Sequence, residues 1–235
     1  MEMNMRTNIR LSLLAGLLLL SASLLRAQTA PDISGHWEGR LEGPAERAFE
    51  VDFVKAAGGY TGTIGIPAEN LKGLPITKVT LNGKAIYFRA REDQPFNGYV
   101  SEDGKLMTGD MSLEGFSIPV SLTRTGDPRI EPAAKSPAIS KELEGAWNGT
   151  ISGLRLVLRL ANQPDGTSTG RVVNLDQGNL EIPISAITQA ESGVTFDLKA
   201  IHASYSGKLN ESGTELVGTY SEGSRSAPLT FTRRP

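Results

Sequence analysis

Gly35-His36-Trp37-Glu38-Gly39 returns further along the chain as Gly145-Ala146-Trp147-Asn148-Gly149, and the match that starts at these two pentapeptides decides the fold. At an offset that stays between 108 and 110, Leu74-Pro75-Ile76 meets Ile182-Pro183-Ile184, Ile86-Tyr87-Phe88 meets Val194-Thr195-Phe196, and Phe96-Asn97-Gly98 meets Tyr205-Ser206-Gly207. Gly104 meets Gly213, Gly109 meets Gly218, and Pro119-Val120-Ser121-Leu122-Thr123-Arg124 meets Pro228-Leu229-Thr230-Phe231-Thr232-Arg233. So many matches in order, with so little drift, mark two copies of one unit of about a hundred residues, spanning 31–125 and 142–234. Residues 126–141 carry Pro128, Pro132 and Pro137 among Ala, Lys and Ser with no apolar period, which reads as a semi-rigid Pro-rich linker.

Within each copy the apolar period is two, the period of a strand. Phe49, Val51 and Phe53 alternate with Glu50 and Asp52, and Leu154, Leu156, Leu158 and Leu160 alternate with Arg155, Val157 and Arg159 at the equivalent place. Ile86, Phe88 and Ala90 alternate likewise, as do Val194, Phe196 and Leu198. Turn pairs such as Gly58-Gly59, Asn82-Gly83, Asp103-Gly104, Asp165-Gly166, Ser192-Gly193 and Ser212-Gly213 punctuate the runs. The reading is all-β, with about eight short antiparallel strands per copy. An open sheet of that size leaves two edges exposed, so each copy is expected to close into a small barrel, with a two-sheet sandwich as the alternative. The outward positions carry Glu50, Asp52, Arg155 and Arg159, which argues against a membrane barrel with its apolar outer band.

The N-terminal stretch has Arg6 and Arg10, an apolar run from Leu11 to Leu25, and Ala27 before a polar segment, the layout of a secretory signal peptide over 1–27. The run is shorter than the roughly 20 residues that span a bilayer, and no second run follows, so stable membrane insertion is not expected. Localisation is read as secreted or periplasmic, with cleavage near Ala27. The chain has no cysteine, so its units are held by their cores alone. Removing 1–27 lowers the basic count from 24 to 21 and the acidic count from 26 to 25, a formal charge of −4 that argues against nucleic acid as a partner.

Alternation also lists what the barrels would enclose: Trp37, Phe49, Val51, Phe53, Ile86, Phe88, Val100, Met107, Met111, Ile118, Val120 and Leu122 in the first, and Trp147, Leu154, Leu156, Leu158, Val194, Phe196, Tyr205, Leu216, Tyr220, Leu229 and Phe231 in the second. None is charged. Side chains alone can fill an eight-stranded barrel, so a dry core is the first expectation and a narrow pocket for a small apolar ligand the second. The candidate pocket residues are Trp37, Phe53, Phe88, Trp147, Phe196, Tyr205 and Tyr220.

The Gly-x-Trp-x-Gly start resembles the opening of lipocalin and avidin-type barrels. Over nearly the whole of 31–234, that start with the Ile-Pro-Ile segment and the Pro-Leu-Thr-Phe-Thr-Arg ending is similar to the β-rich repeats that precede the catalytic domain in some secreted bacterial α/β-hydrolases. The resemblance implies an accessory module, whose partner would be a hydrolase or an envelope component. The catalytic residues of such proteins belong to the hydrolase domain, so none is carried over.

The remaining motifs have ordinary explanations. Gly166-Thr167-Ser168-Thr169-Gly170 fits a nucleophile elbow, with Asp176 or Asp197 and then His202 in hydrolase order, but an elbow needs a following helix and here Arg171-Val172-Val173 reads as a strand. His36 and His202 are not equivalent between the copies, and both read as surface side chains, with His36 pointing away from Trp37. Two scattered histidines without cysteine fall short of the three or so protein ligands of a catalytic zinc, so no metal or other cofactor is expected. Glu50 with Asp52, and Glu102 with Asp103, read as solvated carboxylates on an outer face or turn. Asn148-Gly149-Thr150 and Asn210-Glu211-Ser212 fit the glycosylation sequon, a common tripeptide. Tyr60, Tyr87 and Tyr99 read as exposed aromatics. The function expected is an exported, non-catalytic binding or accessory protein. A serine hydrolase using Ser168 and a structural spacer are the alternatives.

Overall fold

The computed structural model describes residues 30–41, 47–131, 135–191 and 193–234. The proposed signal segment 1–27 lies outside them. The chain is all-β, two barrel-like antiparallel sheets in tandem, with no α-helix among the described residues. The first sheet is built from β1 (Gly35–Leu41), β2 (Arg47–Ala56), β3 (Gly59–Ile66), β4 (Leu71–Pro75), β5 (Lys78–Asn82), β6 (Ala85–Arg89), β7 (Phe96–Val100), β8 (Leu106–Leu113) and β9 (Phe116–Gly126). The second follows as β10 (Ser136–Pro137), β11 (Gly145–Ile151), β12 (Leu154–Asn162), β13 (Thr167–Asn174), β14 (Leu180–Pro183), β15 (Ala186–Ala190), β16 (Gly193–Leu198), β17 (Ala203–Leu209), β18 (Glu215–Glu222) and β19 (Arg225–Arg233).

The first sheet runs β4-β3-β2-β1-β9-β8-β7-β6-β5, and β14 through β11 and then β19 through β15 repeat that order. Among the described residues the first sheet has nine strands and the second ten; the matched sets β1–β9 and β11–β19 each have one more than the turn signals suggest, because the Leu-Pro-Ile and Ile-Pro-Ile segments end short extra strands, β4 and β14. Each sheet curls back on itself. The amide of Ile76 donates to the carbonyl of Gly62 on β3, and that of Ile184 donates to Gly170 on β13.

The repeated pentapeptide has a packing explanation. Each tryptophan is fully buried and its indole N–H reaches the carbonyl four residues back, Trp37 to Ile33 at 2.9 Å and Trp147 to Leu143 at 3.0 Å. The glycine two residues on leaves room for the last strand. A Cβ on Gly39 would stand 2.7 Å from a Leu122 methyl, and one on Gly149 the same distance from the Phe231 ring. The Thr-Arg ending completes the second site, where the Arg233 guanidinium lies 4.2 Å over the Trp147 ring and donates to the carbonyls of Gly213 and Glu144.

The alternating positions form two cores, and nearly every residue read as inward is buried, with Ile118, Leu154 and Tyr220 partly so. Aromatic pairs order both interiors: Phe88 stacks on Phe96 at 4.7 Å and meets Phe53 edge-on at 5.4 Å, and Tyr205 stacks on Phe196 at 5.6 Å and meets Phe231 edge-on. Full burial of such a side chain contributes roughly 1.5–3 kcal/mol.

The described residues of the linker, 126–131 and 135–141, do not form a free spacer. Gly126 ends β9, Arg129 bonds to Asp52, and Ser136–Pro137 form β10, which pairs with β13. Ile139 and Leu143 are buried in the second core. Lys135 holds the Asp165 carboxyl down to about 2 by a 2.6 Å ion pair, helped by bonds from Thr167. The period was invisible in the sequence because single residues here dock separately on two different sheets.

The two units also pack on each other. Leu74 of β4 is buried in the second core, with Ile64 and Leu71 against it. The Glu92 amide donates to Gly178, Asn179 Nδ2 donates to Glu92 at 2.8 Å, and His202 Nδ1 donates to the Asn70 carbonyl at 3.0 Å. At Gly178, whose φ is 59°, a Cβ would stand 2.0 Å from the Asp93 carboxylate, so a glycine is needed at this crossing.

Candidate functional site

Where the barrels meet, their cores do not fill the space. A cavity of about 600 Å³ lies between them, within the roughly 300–1,000 Å³ common for small-molecule sites. Ile64, Leu74, Phe88 and Met111 line it from the first unit, and Leu156, Val172, Ile182, Phe196 and Leu229 from the second. A filled interior is thus found at the tryptophan ends of the barrels and not at their facing ends. The two short 3-10 turns, at Pro67–Glu69 and Lys199–Ile201, stand at this junction, and Glu69 and Ile201 reach the cavity wall.

Of the pocket candidates, the structure brings Phe88, Phe196, Tyr205 and Tyr220 together on this wall. Trp37, Phe53 and Trp147 are correctly placed inside their barrels but do not line the cavity, because their rings are enclosed by neighbouring strands. The Tyr205 hydroxyl donates to the carbonyls of Leu216 at 2.9 Å and Leu229 at 3.2 Å, and burial pushes its pKa well up. Burial, and then the bond it donates to Glu222 at 2.9 Å, raise that of Tyr220.

Side chains that sequence reasoning left out complete the wall. Leu74 and Ile182 belong to the matched Leu-Pro-Ile and Ile-Pro-Ile segments, so the repeat itself carried their signal. The charged members could not be found by alternation, since they stand at strand ends and turns: Arg47, Glu69, Arg89, Arg91, Glu114 and Glu222. Arg47 is paired with Glu69 at 2.5 Å, and Arg91 grips Asp93 with two bonds of 3.0 and 2.7 Å.

His36 requires a correction. It points away from Trp37, as strand parity demands, yet it is 1% exposed and not a surface side chain. Its Nδ1 donates to Asp52 at 2.9 Å, Asp52 also accepts the Arg129 amide at 2.7 Å, and Nε2 faces Glu38 at 3.2 Å. Asp52 is therefore buried too, and not a solvated carboxylate. The cover comes from the chain after β9, which crosses the outer face of β1 and β2 with Arg129. His202 is exposed. Among the described residues, no group of three His, Cys, Asp or Glu side chains is placed to hold a metal ion.

Ser168 lies inside β13, is 1% exposed, and donates from Oγ to the Pro137 carbonyl at 2.7 Å. A serine so enclosed and so bonded, with a strand where an elbow would have a helix, has no approach for a substrate carbonyl. Of the tyrosines read as exposed, Tyr99 is, whereas Tyr60 is half-buried and donates to Asp32 at 3.1 Å. Tyr87 is half-buried beneath the Lys78 ammonium. Glu102 pairs with Lys84, and Asp103 accepts from Ser101 in its turn. No described helix is long and apolar enough to cross a membrane.

No protein-family model matches the chain, and no curated protein matches it. Among solved structures, the chain is similar to a protein of unknown function of the DUF3598 family from Nostoc punctiforme, at 14% identity over 88% of this chain and 97% of that one. The TM-score is 0.25, too low for the likeness to bear on fold or function.

Proposed function

We propose that this is an exported, non-catalytic binding protein that holds one small apolar ligand between its two barrels, in an accessory role to an envelope component or a secreted hydrolase. The observation that carries the reading is the apolar cavity of about 600 Å³ whose wall comes from both units. Export is supported by the layout of 1–27, and the accessory role by the resemblance of the repeats. An inert spacer is disfavoured, because the described linker residues 126–131 and 135–141 dock on the two sheets and Leu74 of the first unit is buried in the core of the second.

Binding is tested by titrating the purified chain with N-phenyl-1-naphthylamine, whose emission rises in apolar surroundings. One saturable site per chain is expected. Val172→Trp, which places an indole in the cavity, is expected to abolish the site with the melting temperature retained. Absence of saturable binding, or undiminished binding by a folded Val172→Trp protein, refutes the proposal.

A further inference from the structure

We propose that the ligand is a single-chain amphiphile with an uncharged carboxamide head, its tail against the apolar wall and its head on the side-chain amides of Gln94 and Gln177. This rests on the cavity reading and narrows it to a chemical class. The wall offers a tail surface from both units, so the identity of the head is decided by the polar groups that border the cavity and keep hydrogen-bonding capacity.

The charged groups of the wall are matched with one another or stand in water. Arg47 pairs with Glu69, Arg89 Nη2 faces Glu92 at 3.8 Å, and Arg91 is held by both oxygens of Asp93. Glu222 accepts from Tyr220, and Glu114 is exposed at its turn, where solvent screens it. An anionic head finds no free guanidinium on this wall, and a cationic one finds only carboxylates already bonded or solvated. Neither recovers the cost of leaving water for an apolar surface.

The two glutamines differ. Asn174 is buried, and its Oδ1 accepts the Asp176 amide at 3.2 Å, which fixes the end of that side chain that is oxygen; its Nδ2 then donates to Gln177 Oε1 at 2.9 Å. The same bond makes Gln177 Nε2 a positioned donor, and Nε2 has no acceptor among the described residues. The Gln94 side-chain amide has no partner among them either, so it offers both a donor and an acceptor. Neither amide is sealed off, because the buried side-chain nitrogen and oxygen atoms without a partner among the described residues are those of His36 Nε2 and Arg89 Nε alone. One crossing of the two units carries both: Gln94 follows Glu92 by two positions, Gln177 precedes Gly178, and the Glu92 amide donates to the Gly178 carbonyl at 2.8 Å. A carboxamide has a carbonyl for these N–H groups and an N–H for the Gln94 carbonyl, whereas an alcohol has a single oxygen for all of them.

The test is displacement of N-phenyl-1-naphthylamine from the full chain at neutral pH by decanamide, decanol, decanoate and decyltrimethylammonium. Decanol is the more apolar of the two neutral compounds, so a cavity that selects on apolarity alone binds it ahead of the amide. Decanamide is expected to bind about ten-fold more tightly than decanol, and more tightly than either ion. Gln94→Met, which removes no side-chain bond within the fold, is expected to reduce that preference about five-fold while probe binding stays within about two-fold. Gln177→Met is expected to do the same; it also leaves Asn174 Nδ2 without its acceptor, so the Gln94 variant decides the matter if the Gln177 variant is unstable. Decanol or either ion binding as tightly as decanamide overturns the head assignment and leaves the cavity reading intact. A preference for decanamide that a folded Gln94→Met protein retains in full overturns the assignment to the glutamines. Probe binding that none of the four competes with overturns the amphiphile, and absence of probe binding overturns both readings.

Discussion

Tyr205 shows how one side chain joins the core to the site. Its ring lies over Gly207 and Gly218, where any Cβ would stand within 2.7 Å of it, and its hydroxyl is turned to the carbonyls of Leu216 and Leu229. Burial raises its pKa, so the folded state favours the neutral phenol. The unfolded chain ionises first, near pH 10, so this contribution to stability is present below that pH and is lost as pH rises through the folded-state value. Tyr205→Phe is expected to lower stability at pH 7 by about 1 kcal/mol and to lose less stability than the wild type between pH 10 and 12. Urea denaturation across that range checks it, and parallel pH profiles would contradict it. Tyr220 is present in both proteins, so the difference isolates Tyr205.

β10 is the smallest element and closes the second sheet. It pairs with β13 by its backbone, while toward β15 the Ser136 hydroxyl accepts the Ile187 amide at 2.7 Å. Pro137 is tolerated in a strand because no ladder bond requires its missing N–H. Ser168, which the sequence offers as a nucleophile, holds this element in place through Pro137. Ser136→Ala is expected to cost about 1–3 kcal/mol by leaving the Ile187 amide without an acceptor, with faster hydrogen exchange at that amide. Ser168→Ala is expected to cost about 1 kcal/mol, and ester turnover by the preparation should be unchanged. Turnover that disappears in Ser168→Ala would restore the hydrolase reading.

At the scale of the molecule, the two units are joined where the first supplies Leu74 to the core of the second. Leu74 is 4% exposed, so Leu74→Ala is expected to cost about 2–4 kcal/mol. The loss should be felt in both units, with reduced hydrogen-exchange protection at Ile182 of β14 as well as at Ile64 of β3. Protection lost in the first unit alone would show that the halves unfold separately. The same junction forms the cavity, so coupling and binding have one structural source.

Local chemistry was enough for the β class, the inward list and the strand that runs on from Ser168, because a period of two and its turn residues act within a few positions. The burial of His36, the docking of 126–131 and 135–141, and the cavity depended on contacts between distant segments. His36 reads as outward at its own strand and is outward; only the later crossing at Arg129 buries it. Phe88 and Phe196 read as inward in either unit alone, but the space they border exists only where two barrel ends meet without filling it.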